Sequence, residues 1–432
     1  MTPIQRQTIP LILAGKDLIA QAKTGSGKTL AFLLPLLLQL RPNQSQPQAL
    51  IITPTRELAQ QIAQTLQALA RYRTNLKIIT LYGGTSLTQQ VNSLQKGADL
   101  LIGTPGRLLD HLHRNTLPLE NIKTLVLDEG DRMLEMGFER DILKIIASLP
   151  KTHQTLLFSA TYPPNIQTLS QKILHHPQQI VANKSPHATT PSTIQEIGYH
   201  HLSNKEQNLI EVLQHHQPKR VIIFCTTKVT TKAIHRLLDR KGFDTVALHG
   251  DLEQYERQEV LIQFSNGSFP IMVATDLAAR GLDVEEIDLV INYDLPNKPQ
   301  EYVHRIGRTG RANAQGVAIT LIDPPALIIK LPEIRPKLEL LSIDTLTPQD
   351  DFRLRGEMGT LCIEGGKKKK IRAGDIVGTL CQEVGIEKHD IGKITLLERH
   401  AYVAIRRSVI KEAYHGLKRA KIKKRKVRLW WL

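Results

Sequence analysis

The chain has 432 residues, 41% hydrophobic and 23% charged, the proportions of a globular protein with room for two or three separately cored domains. Its net charge of +16 points to a polyanionic partner, and the excess is uneven: residues 358–432 hold 19 Lys and Arg against 7 Asp and Glu. Three scattered cysteines (Cys225, Cys362, Cys381) argue against a zinc spacing or a disulfide framework and fit a reducing compartment. The longest apolar run, Leu30–Leu38, contains Pro35 and is too short to span a bilayer. No signal peptide is read. The histidine pairs (His175–His176, His200–His201, His215–His216) lack metal-ligand context and read as surface residues.

Over residues 1–185 short apolar strands alternate with amphipathic helical stretches, the pattern of a parallel sheet covered on both faces. Strands are expected at Asp17–Ala22, Ala49–Thr53, Lys77–Leu81, Asp99–Ile102, Thr124–Leu127 and Thr155–Ser159. The first runs into Ala22-Lys23-Thr24-Gly25-Ser26-Gly27-Lys28-Thr29 and a Leu-rich helix. A glycine-rich turn ending in Lys-Thr between strand and helix is a phosphate-binding loop, here with Ala22 where the usual first Gly would stand. Its glycines let N–H groups turn inward on a phosphate, and the helix N-terminus adds its dipole. Lys28 is expected on the β- and γ-phosphates of a bound nucleotide, and the Thr29 hydroxyl on Mg²⁺.

The fifth strand ends in Asp128-Glu129-Gly130-Asp131. Asp128 is the expected holder of Mg²⁺, through water, and Glu129 the group that orients and polarises the attacking water. Ser159-Ala160-Thr161 ends the sixth strand, and its hydroxyls are candidates to bond Asp131 and couple the nucleotide site to another surface.

Taken in order, A-K-T-G-S-G-K-T, P-T-R-E-L-A (Pro54–Ala59), Gly83-Gly84, T-P-G-R (Thr104–Arg107), D-E-G-D and S-A-T resemble the DEAD-box RNA helicases. Thr2-Pro3-Ile4-Gln5 resembles their Q motif, in which the Gln5 amide reads the adenine edge. The resemblance implies that Pro54, Thr55, Arg56, Gly83, Gly84, Thr104, Pro105, Gly106 and Arg107 touch the RNA backbone. Two departures stand out. Gly130 replaces the family's Ala, at a cost of at most roughly 0.5–1 kcal/mol of backbone order, so activity is expected to survive. The family's upstream aromatic, which stacks on adenine for roughly 0.5–1.5 kcal/mol, has no counterpart before the Q motif, so either weaker ATP binding or a mis-assigned start is expected.

Residues 183–192 are polar, contain proline and read as a linker. Strand–helix alternation resumes over 192–325, with strands expected at Ile194–His201, Arg220–Cys225, Thr245–Leu248, Ile271–Ala274, Leu289–Tyr293 and Val317–Ile322. Two such lobes on a flexible joint are expected to form a cleft that opens and closes. His304-Arg305-Ile306-Gly307-Arg308-Thr309-Gly310-Arg311 places Arg308 and Arg311 three apart, on one face if helical, as cations for a phosphoryl-transfer transition state. By resemblance His304 belongs to the coupling set, Asp283 sees the nucleotide sugar, and Thr275 and Asp276 lie near RNA and the interdomain hydrogen bonds. Gln254 and Arg257 also fit the family pattern.

Residues 326–357 read as an irregular, proline-bearing connector containing some helix. Residues 358–432 read β-α-β-β-α-β, the order of a split β-α-β fold such as the RNA-recognition fold. The stacking signature is missing, since the third strand offers only Tyr402. Cationic clusters dominate, and Lys367, Lys368, Lys369, Lys370, Arg406, Lys423, Lys424 and Arg425 are the RNA candidates. Thr360–Leu380, Ile391–Ile394 and Tyr402–Ile405 closely resemble the RNA-binding domain of the bacterial DbpA helicases. The fold class implied is two tandem RecA-like parallel-sheet α/β domains plus a small RRM-like α+β domain. The resemblance further implies an RNA-stimulated ATPase using ATP and Mg²⁺ in bacterial cytoplasm. Its partners would be a hairpin of large-subunit ribosomal RNA with neighbouring duplexes, and the pre-ribosomal large subunit. Three alternatives carry different expectations: a non-catalytic RNA clamp or annealing protein, a general RNA-turnover helicase with a nonspecific basic tail, and a DNA-translocating helicase.

Overall fold

A computed structural model describes the whole chain except residues 23, 24, 43, 73, 74, 182–193, 201–203, 280–286, 311–314, 325–333, 335–337 and 424, and the side chains of 72 and 300. It forms two compact units, residues 1–188 and 189–432. The linker read at 183–192 lies outside the described residues.

The first unit is a seven-stranded parallel sheet: β1 (Leu18–Gln21), β2 (Ala49–Ile52), β3 (Ile78–Leu81), β4 (Leu100–Gly103), β5 (Thr124–Leu127), β6 (Gln154–Ser159) and β7 (Gln178–Val181). They run in the order β3-β4-β2-β5-β6-β1-β7. The inner strands β2, β4 and β5 are buried at every position, as continuous apolar runs covered by helices on both faces must be. One face packs on Phe32, Leu36, Ile62 and Leu66, the other on Leu108, Met133, Ile142 and Leu169. The edge strand β7 is absent from the sequence reading because Gln178-Gln179-Ile180-Val181 is half polar and half exposed.

The second unit opens with another seven-stranded parallel sheet, β8 (Ile194–His200), β9 (Val221–Cys225), β10 (Thr245–Leu248), β11 (Ile271–Thr275), β12 (Leu289–Asn292), β13 (Gly316–Leu321) and β14 (Glu339–Ser342). Their order is β10-β11-β9-β12-β13-β8-β14. β14 corrects the reading of residues 326–357 as an irregular connector. Four residues among prolines still add a strand beside β8, and Ile343, Phe352 and Leu354 join the core beneath the sheet. Of the histidine pairs, His175 and His176 are exposed as the sequence suggests and His201 lies outside the described residues, but the reading of His216 as a surface residue is corrected. His216 is half-buried against Tyr199, 3.2 Å from its hydroxyl, and burial pulls its pKa down to about 4.

The unit ends in a four-stranded antiparallel sheet, β15 (Met358–Ile363), β16 (Ile391–Leu396), β17 (Ala401–Arg406) and β18 (Leu429–Trp431), in the order β16-β17-β15-β18. The helices Ala373–Gly378 and Ile410–Arg419 cover one face through Ile376, Ile410, Ala413 and Leu417. This is the split β-α-β arrangement that the strand order of the sequence called for.

Candidate active site and nucleic-acid interface

All six motifs of the first unit lie where parallel strands deliver them, at the carboxyl ends. The strand order then sorts them. β5, β6 and β1 are neighbours and carry Asp128–Asp131, Ser159–Thr161 and the phosphate-binding loop. β3, β4 and β2 are neighbours and carry Gly83-Gly84, Thr104–Arg107 and Pro54–Arg56.

In the nucleotide half, Gly25 and Gly27 hold φ of +78° and +89°, a backbone region that side chains strain. Gly27 is required twice over, since a Cβ there would stand 2.5 Å from Gln5 Nε2. Gln5 is buried. Its Nε2 donates to the Gly27 carbonyl (3.2 Å) and its Oε1 accepts from Thr2 N (2.9 Å). One N–H and one lone pair remain for an adenine edge, so Gln5 ties the first helix, Pro3–Leu13, to the loop as well as offering a reader. Lys28 begins the helix Lys28–Gln39, is buried, and donates from Nζ to the Ala22 carbonyl across the loop (2.7 Å). Ser26 and Thr29 are half-buried beside it. Lys23 and Thr24 lie outside the described residues.

Asp128 is 3% exposed, and burial pushes its carboxyl up to about 7 against an opposing pull from Lys28. Its Oδ1 accepts from Glu129 N (3.0 Å). Glu129 takes a left-handed φ of +54°, and Arg132 Nη1 donates to its Oε2 at 3.0 Å. Arg132 is almost wholly buried, so it fixes the glutamate from inside the protein. The sequence reading missed it, although a cation directly after three carboxylates was an available signal. Gly130 heads the helix Gly130–Glu135, and a Cβ there would stand 2.7 Å from Leu157 Cδ1: Leu157 occupies the space of the absent methyl.

Asp131 Oδ2 accepts from Thr161 N (2.9 Å) and Thr161 Oγ1 (2.8 Å), while Asp131 N donates to Ser159 Oγ (3.3 Å). The carboxyl ends of β5 and β6 are thereby bonded to each other through the residues singled out for coupling.

In the other half, Thr55 Oγ1 caps the helix Arg56–Leu69 by accepting from Leu58 N. The Arg56 guanidinium lies against Gly83, where a Cβ would stand 2.9 Å from Nη2, and Gly84 holds φ of +80°. Thr104, Pro105 and Gly106 open the helix Pro105–His113. Arg107 Nη1 donates to Gln90 Oε1 (2.9 Å) and the Thr85 carbonyl (3.2 Å). Gln90 had no sequence signal, yet its amide is the hub here. It is buried, donates to the Tyr82 carbonyl and Thr85 Oγ1, and its oxygen also lies 3.0 Å from His111 Nε2. Burial lowers the His111 pKa.

In the second unit Thr275 ends β11 and Asp276 follows it. Arg305 is almost fully buried and holds Asp276 with both arms, Nε to Oδ1 at 2.6 Å and Nη2 to Oδ2 at 2.7 Å. Its Nη1 donates to Asn292 Oδ1, and the guanidinium lies 5.3 Å from the Phe224 ring centre. The reading that puts Asp276 near RNA meets a side chain engaged inside the fold. The helix Pro299–Ile306 carries His304 and stops before Arg308, which sits buried in the following turn. The shared helical face expected of Arg308 and Arg311 is therefore absent on the Arg308 side. Arg311 and Asp283 lie outside the described residues.

The C-terminal module keeps Lys367–Lys370 exposed on a turn. Lys423 Nζ donates to the Lys370 carbonyl (2.8 Å), bringing the two lysine clusters together, and Arg425 is exposed two residues on. Lys424 lies outside the described residues. Arg406 stands apart from the clusters. It ends β17 and pairs with Asp390 at 3.1 Å, whereas the Lys367–Lys370 turn bonds the loop before β17. A six-residue strand separates them by roughly 17–20 Å.

A buried lysine at a phosphate-loop helix, an adjacent strand ending in carboxylates and a repeated parallel sheet define a nucleoside-triphosphatase with two RecA-like lobes. Residues 2–169 match the DEAD/DEAH box helicase family, residues 204–313 the helicase conserved C-terminal domain, and residues 360–430 the DbpA RNA binding domain. The chain is 44% identical to the ATP-dependent RNA helicase DbpA of Escherichia coli K12 over 98% of its own length and 92% of that protein's. It is 45% identical to the ATP-dependent RNA helicase CshA of Listeria monocytogenes over 75% of this chain and 62% of that one. Among solved structures it resembles Saccharomyces cerevisiae Dbp5 bound to RNA and ADP BeF3 (TM-score 0.72, 30% identity, 79% of this chain and 90% of that one). It also resembles Mss116p bound to ssRNA and AMP-PNP (TM-score 0.69, 28% identity, 81% and 75%). The chain belongs to the DEAD-box ATP-dependent RNA helicases of DbpA type, and it is an RNA-dependent ATPase.

Proposed function

We propose that this helicase locally unwinds duplexes in large-subunit ribosomal RNA during ribosome assembly, in bacterial cytoplasm, steered there by its C-terminal module. The observation that carries the reading is the division of one sheet edge into two halves, β5-β6-β1 and β3-β4-β2. They meet where β2 pairs with β5 and Asp128 N donates to the Ile52 carbonyl (3.0 Å) at the start of the Pro54–Arg56 turn. Asp131, Ser159 and Thr161 tie β5 to β6 within the nucleotide half. A change of ligand on one half has a short path to the other, which is what coupling of ATP turnover to RNA requires.

On the nucleotide half, Lys28 leaves the Ala22 carbonyl for the β- and γ-phosphates, and the inward N–H groups of the loop take the remaining charge. Gln5 offers its free donor and acceptor to adenine. Glu129, held by Arg132, orients and deprotonates the attacking water. Asp128 and Thr29 fit a hard cation. Among the described residues no three His, Cys, Asp or Glu gather as a metal cage, and a buried carboxylate with a raised pKa gains from a cation beside it. Mg²⁺, held by those two groups with waters and phosphate oxygens, would neutralise charge developing on the phosphates. By the family pattern Arg308 and Arg311 are the transition-state cations, His304 belongs to the coupling set and Asp283 takes the sugar.

On the other half, Arg56 and Arg107 meet phosphates while Gly83 and Gly84 let the RNA backbone come close. Such contacts carry no sequence information. The selectivity has to come from the C-terminal module, whose exposed lysines add affinity for phosphates. Its match to the DbpA RNA binding domain supports RNA as its ligand, and the large-subunit hairpin is what the family resemblance implies. The test is competition. A labelled large-subunit fragment carrying the hairpin, bound to the full chain, should resist displacement by excess tRNA or poly(A). Displacement by tRNA and poly(A) as readily as by the unlabelled ribosomal fragment would favour the general RNA-turnover reading.

A further inference from the structure

The chain has only two tryptophans, adjacent at Trp430 and Trp431 on the edge strand β18, and both are exposed, at 36% and 44%. Large apolar side chains on a strongly basic module need a reason to stay in water. The register of the sheet supplies one. Tyr402, Cys362 and Trp430 stand directly opposite one another across β17, β15 and β18, so they share one face of the sheet. It is the face away from the module's own helices, the one RNA-recognition folds use for stacking.

The centre of that face is closed. Tyr402 and Cys362 are buried with Ile262 from the helix Gln254–Ser265 of the neighbouring parallel-sheet lobe. Tyr402 donates its hydroxyl to Glu259 Oε1 (3.1 Å), and Thr360 Oγ1 meets Asn266 Nδ2 and Ser268 Oγ at 2.8 Å each. Arg407 pairs with Asp244 at 2.8 Å at the rim. The aromatic that the sequence offered for stacking is thus an anchor within this unit. Trp430 lies at the open end of the same row. His400 meets its ring edge-on, centroids 5.5 Å apart. The loop bearing His400 is bonded to the lysine turn, Lys367 N to the Leu397 carbonyl and Lys368 N to the Glu398 carbonyl, both 2.9 Å. Exposed Lys367–Lys370, Arg399 and Arg428 outnumber Glu364 and Glu398 in this neighbourhood.

We propose that Trp430, braced by His400 and flanked by the Lys367–Lys370 turn, is the platform on which the module stacks an unpaired RNA base, with the turn's lysines on the adjoining phosphates. The occupant is a single-stranded nucleotide next to a hairpin, because an exposed ring face with cations around it matches a base and its phosphates. The inference rests on the module's binding RNA, as proposed above, and names where and how.

Binding is measured on the full chain with two probes, a large-subunit fragment carrying the hairpin with single-stranded flanks, and an unrelated hairpin with flanks of the same length. Trp430→Ala should weaken binding of the ribosomal probe by about 5- to 100-fold without changing its salt slope, and Trp430→Phe should recover most of it. In a Trp431→Phe chain the only indole left is Trp430, and its fluorescence should be quenched by RNA in step with binding. Unaltered fluorescence with RNA bound, or Trp430→Ala binding within about twofold of the parent, overturns the platform. If Trp430→Ala fails to fold, the fluorescence arm decides alone. An equal loss of affinity on both probes, with equal parent affinities, keeps the platform and overturns the ribosomal targeting instead.

Discussion

Replacing Asp128 by Asn isolates the electrostatics of the nucleotide site. The carboxyl has an ordinary value of 3.8 in the unfolded chain and is raised to about 7 in the fold, with burial the first cause and Lys28 opposing it. A raised folded-state value means that the native protein holds this proton more tightly than the unfolded chain does. The group's effect on stability is therefore nil below about pH 4. It turns unfavourable as pH rises and levels off above about pH 7. At about 1.4 kcal/mol per unit, the full swing is on the order of 4 kcal/mol. Other carboxylates act in the opposite sense, such as exposed Asp251, held near 2 by Lys228 and Lys232, so the whole-protein profile is a sum. The difference between parent and Asp128→Asn removes them, because Asn keeps the shape and cannot ionise. Urea unfolding of the two chains without nucleotide, across that pH window, should give curves that coincide in acid and diverge in favour of Asn toward neutrality. Mg²⁺ with ATP should narrow the gap, since only the carboxylate gains from the cation. A pH-independent difference would refute the argument.

Thr161→Val with Ser159→Ala removes the Oγ1 bond to Asp131 and the acceptor for Asp131 N. Duplex unwinding should fall by about tenfold while ATP affinity stays within a few-fold, read by strand-displacement and nucleotide-binding assays. Gln90→Leu breaks the amide's bonds to Arg107, Thr85 and Tyr82. RNA affinity should drop by roughly tenfold with ATP affinity unchanged, and a loss of ATP affinity alone would contradict the division of the sheet edge. Arg305→Met leaves Asp276 without its bidentate partner inside the second unit. That unit should lose about 3–5 kcal/mol in urea unfolding, and a change below about 1 kcal/mol would show that the pair is not structural.

Much of this was legible in the sequence because it is local. The phosphate-binding loop, Asp128–Asp131 and Ser159–Thr161 each sit within one strand–turn unit, so spacing alone places them at strand ends. The inner strands announce themselves as apolar runs. What escaped depends on contacts between distant segments. Nothing near Tyr402 indicates that its hydroxyl meets Glu259, 143 residues earlier, or that its ring is an anchor. Arg305 lies inside a basic run that reads as a transition-state motif, yet its own partner is Asp276, 29 residues back. β7 and β14 escaped because edge strands can be half polar and still pair on one side. Arg406 was grouped with the lysines by charge, although strand geometry puts it at the far end of the sheet, held by Asp390.

The central claim is that the module directs an otherwise indiscriminate RNA-dependent ATPase to ribosomal RNA. The most direct measurement is ATP hydrolysis by the full chain with no RNA, with tRNA, and with the large-subunit fragment carrying the hairpin. Strong stimulation by the ribosomal fragment and little by tRNA is the result this account expects; equal stimulation by both would contradict it.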